Sequence, residues 1–344
     1  MTRKRLAGGC ALLLVAALLS GLWLRNAIHE PLDLPSSGAI VSLQPGQSLS
    51  QLLVSLVQQG YLKSAQPLAG WARLQGLDRL VKAGEYQLAR GTTGASLLRL
   101  LAAGEVVTYR VTLPEGITLA EAIQRLHDDR RIEQTLSGPE DPQLLKLVRP
   151  AASAEGLFLP ETYQFVRGDS DLDILVHARR LFEEALRTAW QSRSADSPLK
   201  SAYEAAILAS IVERETSVPE ERAAIAGVFS RRLQRGMRLQ TDPTIIYGLG
   251  EAYTGNLTRQ HLADAGNPWN TYRIAGLPPT PIALPGRAAL FAAVQPEAGD
   301  ALYFVARGDG YHAFSATLEE HNAKVKQFQL ARRSDYRSTP APGD

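Results

Sequence analysis

The sequence predicts an α+β protein: a single N-terminal transmembrane helix, a small α+β module and a larger mixed α/β domain. Three observations carry this expectation. Residues 6–24 form one uncharged apolar run behind a basic cluster. Residues 39–106 alternate short strand-like and helix-like patterns closed by glycines. From residue 107 onwards, strand and helix periods recur between loops rich in Pro, Gly and Asn.

Composition sets the outer limits. At 344 residues the chain is long enough for two domains plus an anchor. Apolar residues at 45% and charged residues at 21% exclude both a disordered chain and one with many membrane spans. A net charge of +2 with no long basic run gives no ground for a nucleic-acid partner. Cys10 is the only cysteine, which rules out an intramolecular disulfide and a thiolate metal cluster. The six histidines include no pair at HxxxH spacing, so neither a metal nor a cofactor is expected.

Arg3, Lys4 and Arg5 precede the apolar run of residues 6–24. At ~1.5 Å per residue a helix over this run is roughly 28 Å long, close to the hydrocarbon thickness of a bilayer. The basic cluster keeps residues 1–5 in the cytoplasm and sends the rest of the chain across. Trp23 stands where an interfacial aromatic would, with Arg25 just beyond. A cleaved signal peptide is the competing reading. The run is longer than a usual signal core, however, and no small-x-small site follows it. Cys10 precedes most of the apolar stretch instead of following it, so residues 6–10 do not serve as a lipoprotein box. Residues 25–38, with the Pro/Ser/Gly stretch at 31–38, are expected to be a tether.

The small module is expected over residues 39–106. Residues 39–43 read as a strand and Pro45-Gly46 as its turn. Ser48 to Gln51 is a capping box opening a helix with Leu49, Leu52, Leu53, Leu56 and Val57 on one side, ended by Gly60. A second helix carries Leu68, Trp71 and Leu74. A strand at residues 85–88 and a short helix near 96–101, closed by Gly104, complete the module. The strand–helix–helix–strand order resembles a LysM-like module, and that resemblance implies binding of N-acetylglucosamine polymers. A structural spacer would carry the same order.

Residues 107–332 are expected to form the larger domain. Val107, Tyr109, Val111 and Leu113 alternate as in a half-buried strand, Thr118 to Glu121 is a capping box, and residues 172–188 form a long amphipathic helix. Ser197-Pro198 then introduces a helix over residues 199–216, with proline at its first position. At about 100° per residue, Ile207, Leu208, Ile211 and Val212 make one apolar stripe; Glu215 falls near its middle and Glu213 points away. An acid on a buried face is costly unless it is protonated, paired or lining a cleft. Desolvation raises a carboxyl pKa, which suits a general acid at neutral pH. Glu215 is therefore the candidate acid/base, against the plainer alternative of a helix-end Glu that reaches water.

Downstream, Pro219, Glu220 and Glu221 open a helix that runs through Leu233. Residues 237–248 read as a polar loop, and residues 267–272 and 276–281 as stiffened loops bearing Trp, Tyr and Asn. Residues 301–306 and 311–315 alternate around Gly308-Asp309-Gly310 as a hairpin, and Thr317 caps a final helix. His312 reads as a packed or surface histidine. Residues 333–344 are expected to be a disordered tail.

The motifs ASIVERET (209–216), RLQTDPTIIYGLG (238–250), NTY (270–272), GLPPTPIALPG (276–286) and YFVARGDGYHAFSATLEEHN (303–322), with EGLFLPETY (155–163) upstream, resemble the YceG-like family. Its best-known members are the MltG endolytic murein transglycosylases. The resemblance covers residues 110–330 by motif, and the anchor and small module by layout. It implies a cofactor-free enzyme of the cell inner membrane, single-pass, with a cytoplasmic N-terminus and a periplasmic catalytic domain. The implied substrate is peptidoglycan: the bond between N-acetylmuramic acid and N-acetylglucosamine in nascent glycan strands, cut to leave 1,6-anhydro ends. Penicillin-binding proteins are implied partners.

In such enzymes one Glu acts as both acid and base, and the second Glu of the Glu-Arg-Glu run, Glu215, matches it. Glu155, Tyr163, Thr216, Thr241, Asp242, Asn270 and Tyr272 become candidates for holding the sugar. Glu161 and Asp242 are the candidates for a second carboxylate. Glu155 and Asp242 also stand beside Gly or Pro, where turn roles are common. A hydrolytic muramidase and a non-enzymatic wall-binding scaffold are the alternatives.

Overall fold

The structure, a computed structural model, describes residues 2–330, and their side chains apart from those of residues 2–13 and 17. The tail expected at 333–344 lies outside the described residues, as do the side chains of residues 1–5. Two compact units make up the chain: Met1–Tyr109 with Gln164–Gly168, and Arg110–Tyr163 with Asp169–Asp344.

The first unit opens with α1 (Thr2–His29), followed by β1 (Ala39–Leu43), α2 (Leu49–Gln58), α3 (Gln66–Gln75), β2 (Gly84–Leu88) and α4 (Gly94–Ala103). This is the expected strand–helix–helix–strand order. β1 and β2 pair antiparallel, from Ala39 opposite Leu88 to Leu43 opposite Gly84. Ser48 with Gln51 and Thr93 with Ser96 form capping boxes that start α2 and α4. Gly76 and Gly104, at φ 68° and 69°, stop α3 and α4 in the left-handed conformation that glycine adopts without a Cβ penalty. Leu52, Leu53 and Leu56 of α2 pack with Leu68, Tyr86, Leu97 and Leu101 in one core.

Two expectations change here. Residues 31–38 are no free tether: Leu32 is buried in that core, its N–H bonds to Thr92 O at 2.8 Å, and Asp33 N–H bonds to Tyr61 O at 2.9 Å. Burying a leucine contributes about 1.5–3 kcal/mol, enough to lay the segment down. Residues 164–168 also join the first unit, where Arg167 Nε reaches Glu85 Oε1 at 2.6 Å. Among the described residues no helix is long and apolar enough to cross a membrane. The span expected at residues 6–24 lies within α1, but falls partly on side chains outside the described residues.

The chain enters the second unit along β3 (Tyr109–Thr112) and continues through α5 (Leu119–His127), α6 (Pro142–Leu147) and β4 (Thr162–Phe165), the partner of β3 in a two-stranded sheet. Next come α7 (Asp171–Gln191), α8 (Ala202–Glu215), α9 (Arg222–Gln234), α10 (Asp242–Leu249), α11 (Arg259–Ala263) and α12 (Arg287–Val294). The antiparallel hairpin of β5 (Tyr303–Ala306) and β6 (His312–Ser315) and the helix α13 (Leu318–Val325) follow.

α8 is the axis of this unit, packed by α7, α9, α10 and α12. The one-sided stripe expected for it is not what forms, because every residue from Ala205 to Glu213 is buried. Small side chains at Ala205, Ala206, Ala209 and Ser210 let neighbours close on the faces that periodicity left open. The helix also begins at Ala202, not beside Pro198: Ser201 Oγ accepts the Glu204 N–H at 3.2 Å and so caps it. Residues 242–249, expected as loop, form α10 with Pro243 in the first turn, where its missing N–H costs nothing.

Candidate active site

Glu215 is the last residue of α8, and the chain turns extended immediately after it at Thr216 (φ −145°). Its side chain enters a cavity of about 510 Å³ that is also lined by Arg232, Thr241, Asp242, Tyr272 and His312. Thr241 precedes α10, its own N–H bonded to Thr271 Oγ1 at 3.0 Å and its C=O accepting from Thr244 Oγ1 at 2.7 Å. So held, it donates its hydroxyl to Glu215 Oε1. Tyr272 donates its phenol to Asp242 Oδ1 at 2.8 Å.

Burial raises the Glu215 carboxyl to about 7; the Thr241 hydrogen bond pulls it down and the Asp242 charge pushes it up. A carboxyl with that value is about half protonated at neutral pH, the state a general acid needs. Burial and the Asp242 charge also raise the Tyr272 phenol, which stays a hydrogen-bond donor.

The neighbouring Glu213 has a different environment. It is buried against the Arg222 guanidinium at 3.0 Å and accepts the Gly286 N–H at 2.8 Å. The two glutamates of the Glu-Arg-Glu run thus separate into one ion-paired inside the fold and one facing a cavity.

The remaining candidates distribute unevenly. Thr241, Asp242 and Tyr272 meet Glu215; the others do not line its cavity. Thr216 is buried, accepting Val218 N–H at 3.0 Å and donating to Glu221 Oε2 at 3.4 Å. Asn270 is buried and fully engaged: Nδ2 donates to Asp264 O at 2.7 Å and Oδ1 accepts Tyr272 N–H at 3.0 Å, so it shapes the turn that presents Tyr272. Tyr163 is buried, its hydroxyl on Leu159 O and its ring edge-on to His177 at 5.6 Å. Glu161 is exposed and lines neither this cavity nor the next.

Glu155 belongs to a second, larger cavity of about 710 Å³, with Arg214 and Tyr247. It accepts Leu119 N–H at 2.9 Å and Tyr247 O–H at 3.3 Å, and burial raises its carboxyl to about 7.

Sequence reasoning missed Arg232, Tyr303 and two histidines on the Glu215 cavity. Arg232 donates Nε to Leu302 O at 2.7 Å and lies over the Tyr303 ring at 5.0 Å. His321 stacks on Tyr303 at 5.2 Å. His312, expected to be merely packed or superficial, lines the Glu215 cavity with Nδ1 at 2.8 Å from Glu221 Oε2. The alternation of β5 and β6 marked these strands, but nothing local indicated which α-helical acid they face.

The model of the YceG-like family matches residues 41–327, and the chain belongs to that family. The chain is 26% identical over 329 residues to the endolytic murein transglycosylase of Bacillus subtilis (strain 168), an alignment covering 90% of each. It is 27% identical over 331 residues to the endolytic murein transglycosylase of Streptococcus pneumoniae serotype 2, covering 86% of this chain but only 60% of that protein. Among solved structures it is similar to a YceG-like protein from Listeria monocytogenes, with TM-score 0.53 and 26% identity over 84% of this chain and 99% of the other.

Proposed function

We propose that this chain is a lytic transglycosylase of peptidoglycan, with Glu215 as both its acid and its base. The observation that carries the reading is a carboxyl raised to about 7 at a helix end and facing a cavity lined by hydrogen-bonding side chains. Protonated Glu215 gives its proton to the oxygen between N-acetylmuramic acid and N-acetylglucosamine, and the C1–O bond breaks. The C6 hydroxyl of the muramic sugar closes onto C1, its proton passing to the Glu215 carboxylate, which is thereby reset. The products are a 1,6-anhydro end and a free 4-hydroxyl, with no water consumed. Most glycosidases need a second carboxylate to activate water or to attack C1, and an internal hydroxyl nucleophile removes that need.

Thr241, Asp242 and Tyr272 border the acid and hold the sugar beside it. The exposed face of α1, with Leu14, Leu18, Leu22 and Trp23, supports an uncleaved anchor in the inner membrane, N-terminus inside and the larger domain in the periplasm. The strand–helix–helix–strand order of the first unit supports a LysM-like grip on the glycan. Action on nascent strands brings the enzyme beside penicillin-binding proteins.

The test is digestion of purified glycan strands followed by mass spectrometry. Anhydro-ended fragments are expected. Fragments heavier by one water would make the protein a muramidase, and intact strands would leave a wall-binding scaffold.

A further inference from the structure

We propose that Gln240 is a substrate-binding residue of the Glu215 cavity, its side-chain Nε2 donating to an amide carbonyl oxygen of the bound glycan strand. The inference rests on the transglycosylase reading and names a contact which that reading leaves unassigned. Its first basis is a backbone outlier. Among the described residues Gln240 is the only non-glycine with a positive φ, 52°. In that left-handed conformation a Cβ crowds the following carbonyl oxygen, a clash that glycine avoids. The surroundings hold the turn in place: Gln240 N–H donates to Thr271 O at 3.2 Å, and the next N–H, of Thr241, to Thr271 Oγ1 at 3.0 Å. Leu239 and Thr241 are buried, while Gln240 between them is exposed on the wall of the cavity that Glu215 enters. Backbone strain held in place by its neighbours gathers at functional sites.

The second basis is the orientation of the amide. Arg232 is buried, and no acid pairs with it among the described residues. It donates Nη1 to Leu239 O at 2.9 Å and to Gln240 Oε1 at 3.4 Å. A guanidinium has no acceptor, so the amide atom facing it is the oxygen. Nε2 is left with two N–H groups and no protein acceptor among the described residues. The cation on Oε1 also polarises the amide and strengthens those donors. A sugar hydroxyl both gives and accepts, whereas an amide carbonyl only accepts, which is the complement of Nε2. Peptidoglycan carries such carbonyls on its 2-acetamido groups and at the amide that joins a stem peptide to the lactyl group.

Binding can be read apart from cleavage in the Glu215→Gln protein, using fluorescently labelled glycan strands that carry stem peptides or have been stripped of them. Adding Gln240→Gly, which suits the left-handed backbone but deletes the amide, is expected to weaken binding by about 3–10-fold without lowering Tm. Adding Gln240→Glu, which still accepts from Arg232 but donates nothing, is expected to lose at least as much. A loss on both kinds of strand assigns the contact to an acetamido group. A loss confined to peptide-bearing strands assigns it to the lactyl amide. Unchanged affinity of the Gly variant for both overturns the proposal. A lower Tm in that variant overturns it too, as does an alkaline limb of kcat/KM that Gln240→Gly alone displaces from about pH 7, because either would make Gln240 a support for Thr241. Should the wild type release no anhydro ends while the Gln240 loss persists, the transglycosylase reading falls and the contact stands.

Discussion

Thr241 spends its hydroxyl on Glu215 Oε1, so the residue at the start of α10 binds the acid at the end of α8 and leaves its own helix without a side-chain cap. A missing N-cap costs about 1 kcal/mol. The geometry therefore trades local helix stability for control of one proton, and the control is testable because two neighbours act on Glu215 with opposite sign.

Thr241→Val removes the hydrogen bond that favours the Glu215 carboxylate, so the acid should hold its proton beyond about pH 7. A hydrogen bond to a charged group is worth roughly 1.5 kcal/mol or more, which corresponds to about one pH unit. The alkaline limb of kcat/KM should move up by about that much. Asp242→Asn removes a like charge and should move the same limb down, by less, because Asp242 is exposed and screened by solvent. Shifts of the same sign in the two variants would show that at least one of the two residues does not act on Glu215 in this way.

Glu215→Gln should abolish strand cleavage and at the same time stabilise the protein above neutrality. The folded-state value of about 7 stands above the ~4.3 of a glutamate in an unfolded chain. The folded protein binds this proton more tightly, so the associated stability is complete below about pH 4 and is lost as pH rises through about 7. Glutamine never ionises. Its advantage in stability should be absent near pH 4 and reach on the order of 1–3 kcal/mol at pH 8, read as a higher Tm. A Gln variant that melts lower at pH 8 would make Glu215 a structural residue.

How much of this the sequence disclosed depends on the range of the interaction concerned. Capping boxes at Ser48 and Thr118, the glycine stop at Gly104 and the hairpin around Asp309 act within a few residues and follow from local spacing. Glu215 was singled out by helical phase, although α8 turned out to be wrapped on all sides, so that phase alone distinguished it from Glu213 less than supposed. The division between those two acids is set by Arg222 and Gly286 on one side and Thr241 on the other. His312 lay beyond local reasoning because its partner Glu221 is 91 positions away. Asn270 and Tyr163, which carry the right chemistry for a sugar, spend it on backbone carbonyls that no pattern shows.

Glu213 should behave as the stability counterpart of Glu215. Replacing it by alanine strips the Arg222 guanidinium of its 3.0 Å partner and leaves the Gly286 N–H unpaired. Breaking a buried pair costs about 3–5 kcal/mol, and the lower end applies because Glu115 remains 3.2 Å from Arg222. The expected result is a Tm lowered by several degrees at pH 7, read by thermal unfolding. An unchanged melting curve would mean that the pair contributes nothing and that Gly286 is held by other means.

Glu155 supplies the last prediction, since its carboxyl is also raised to about 7 by burial but in the other cavity. Glu155→Gln keeps an acceptor for the Leu119 N–H and removes the ionisable group, so its Tm should gain on the wild type as pH rises from 5 to 8. Glu155→Ala leaves both Leu119 N–H and Tyr247 O–H without their acceptor and should cost about 1–3 kcal/mol below about pH 4, where the carboxyl is largely protonated in the folded and the unfolded chain alike. Because Glu155 and Glu215 share no hydrogen-bond partner, the gains of the two Gln variants at pH 8 should add in the double variant. A double variant that gains no more than either single one would mean that the two acids titrate as a coupled pair and that the two cavities respond to ionisation as one.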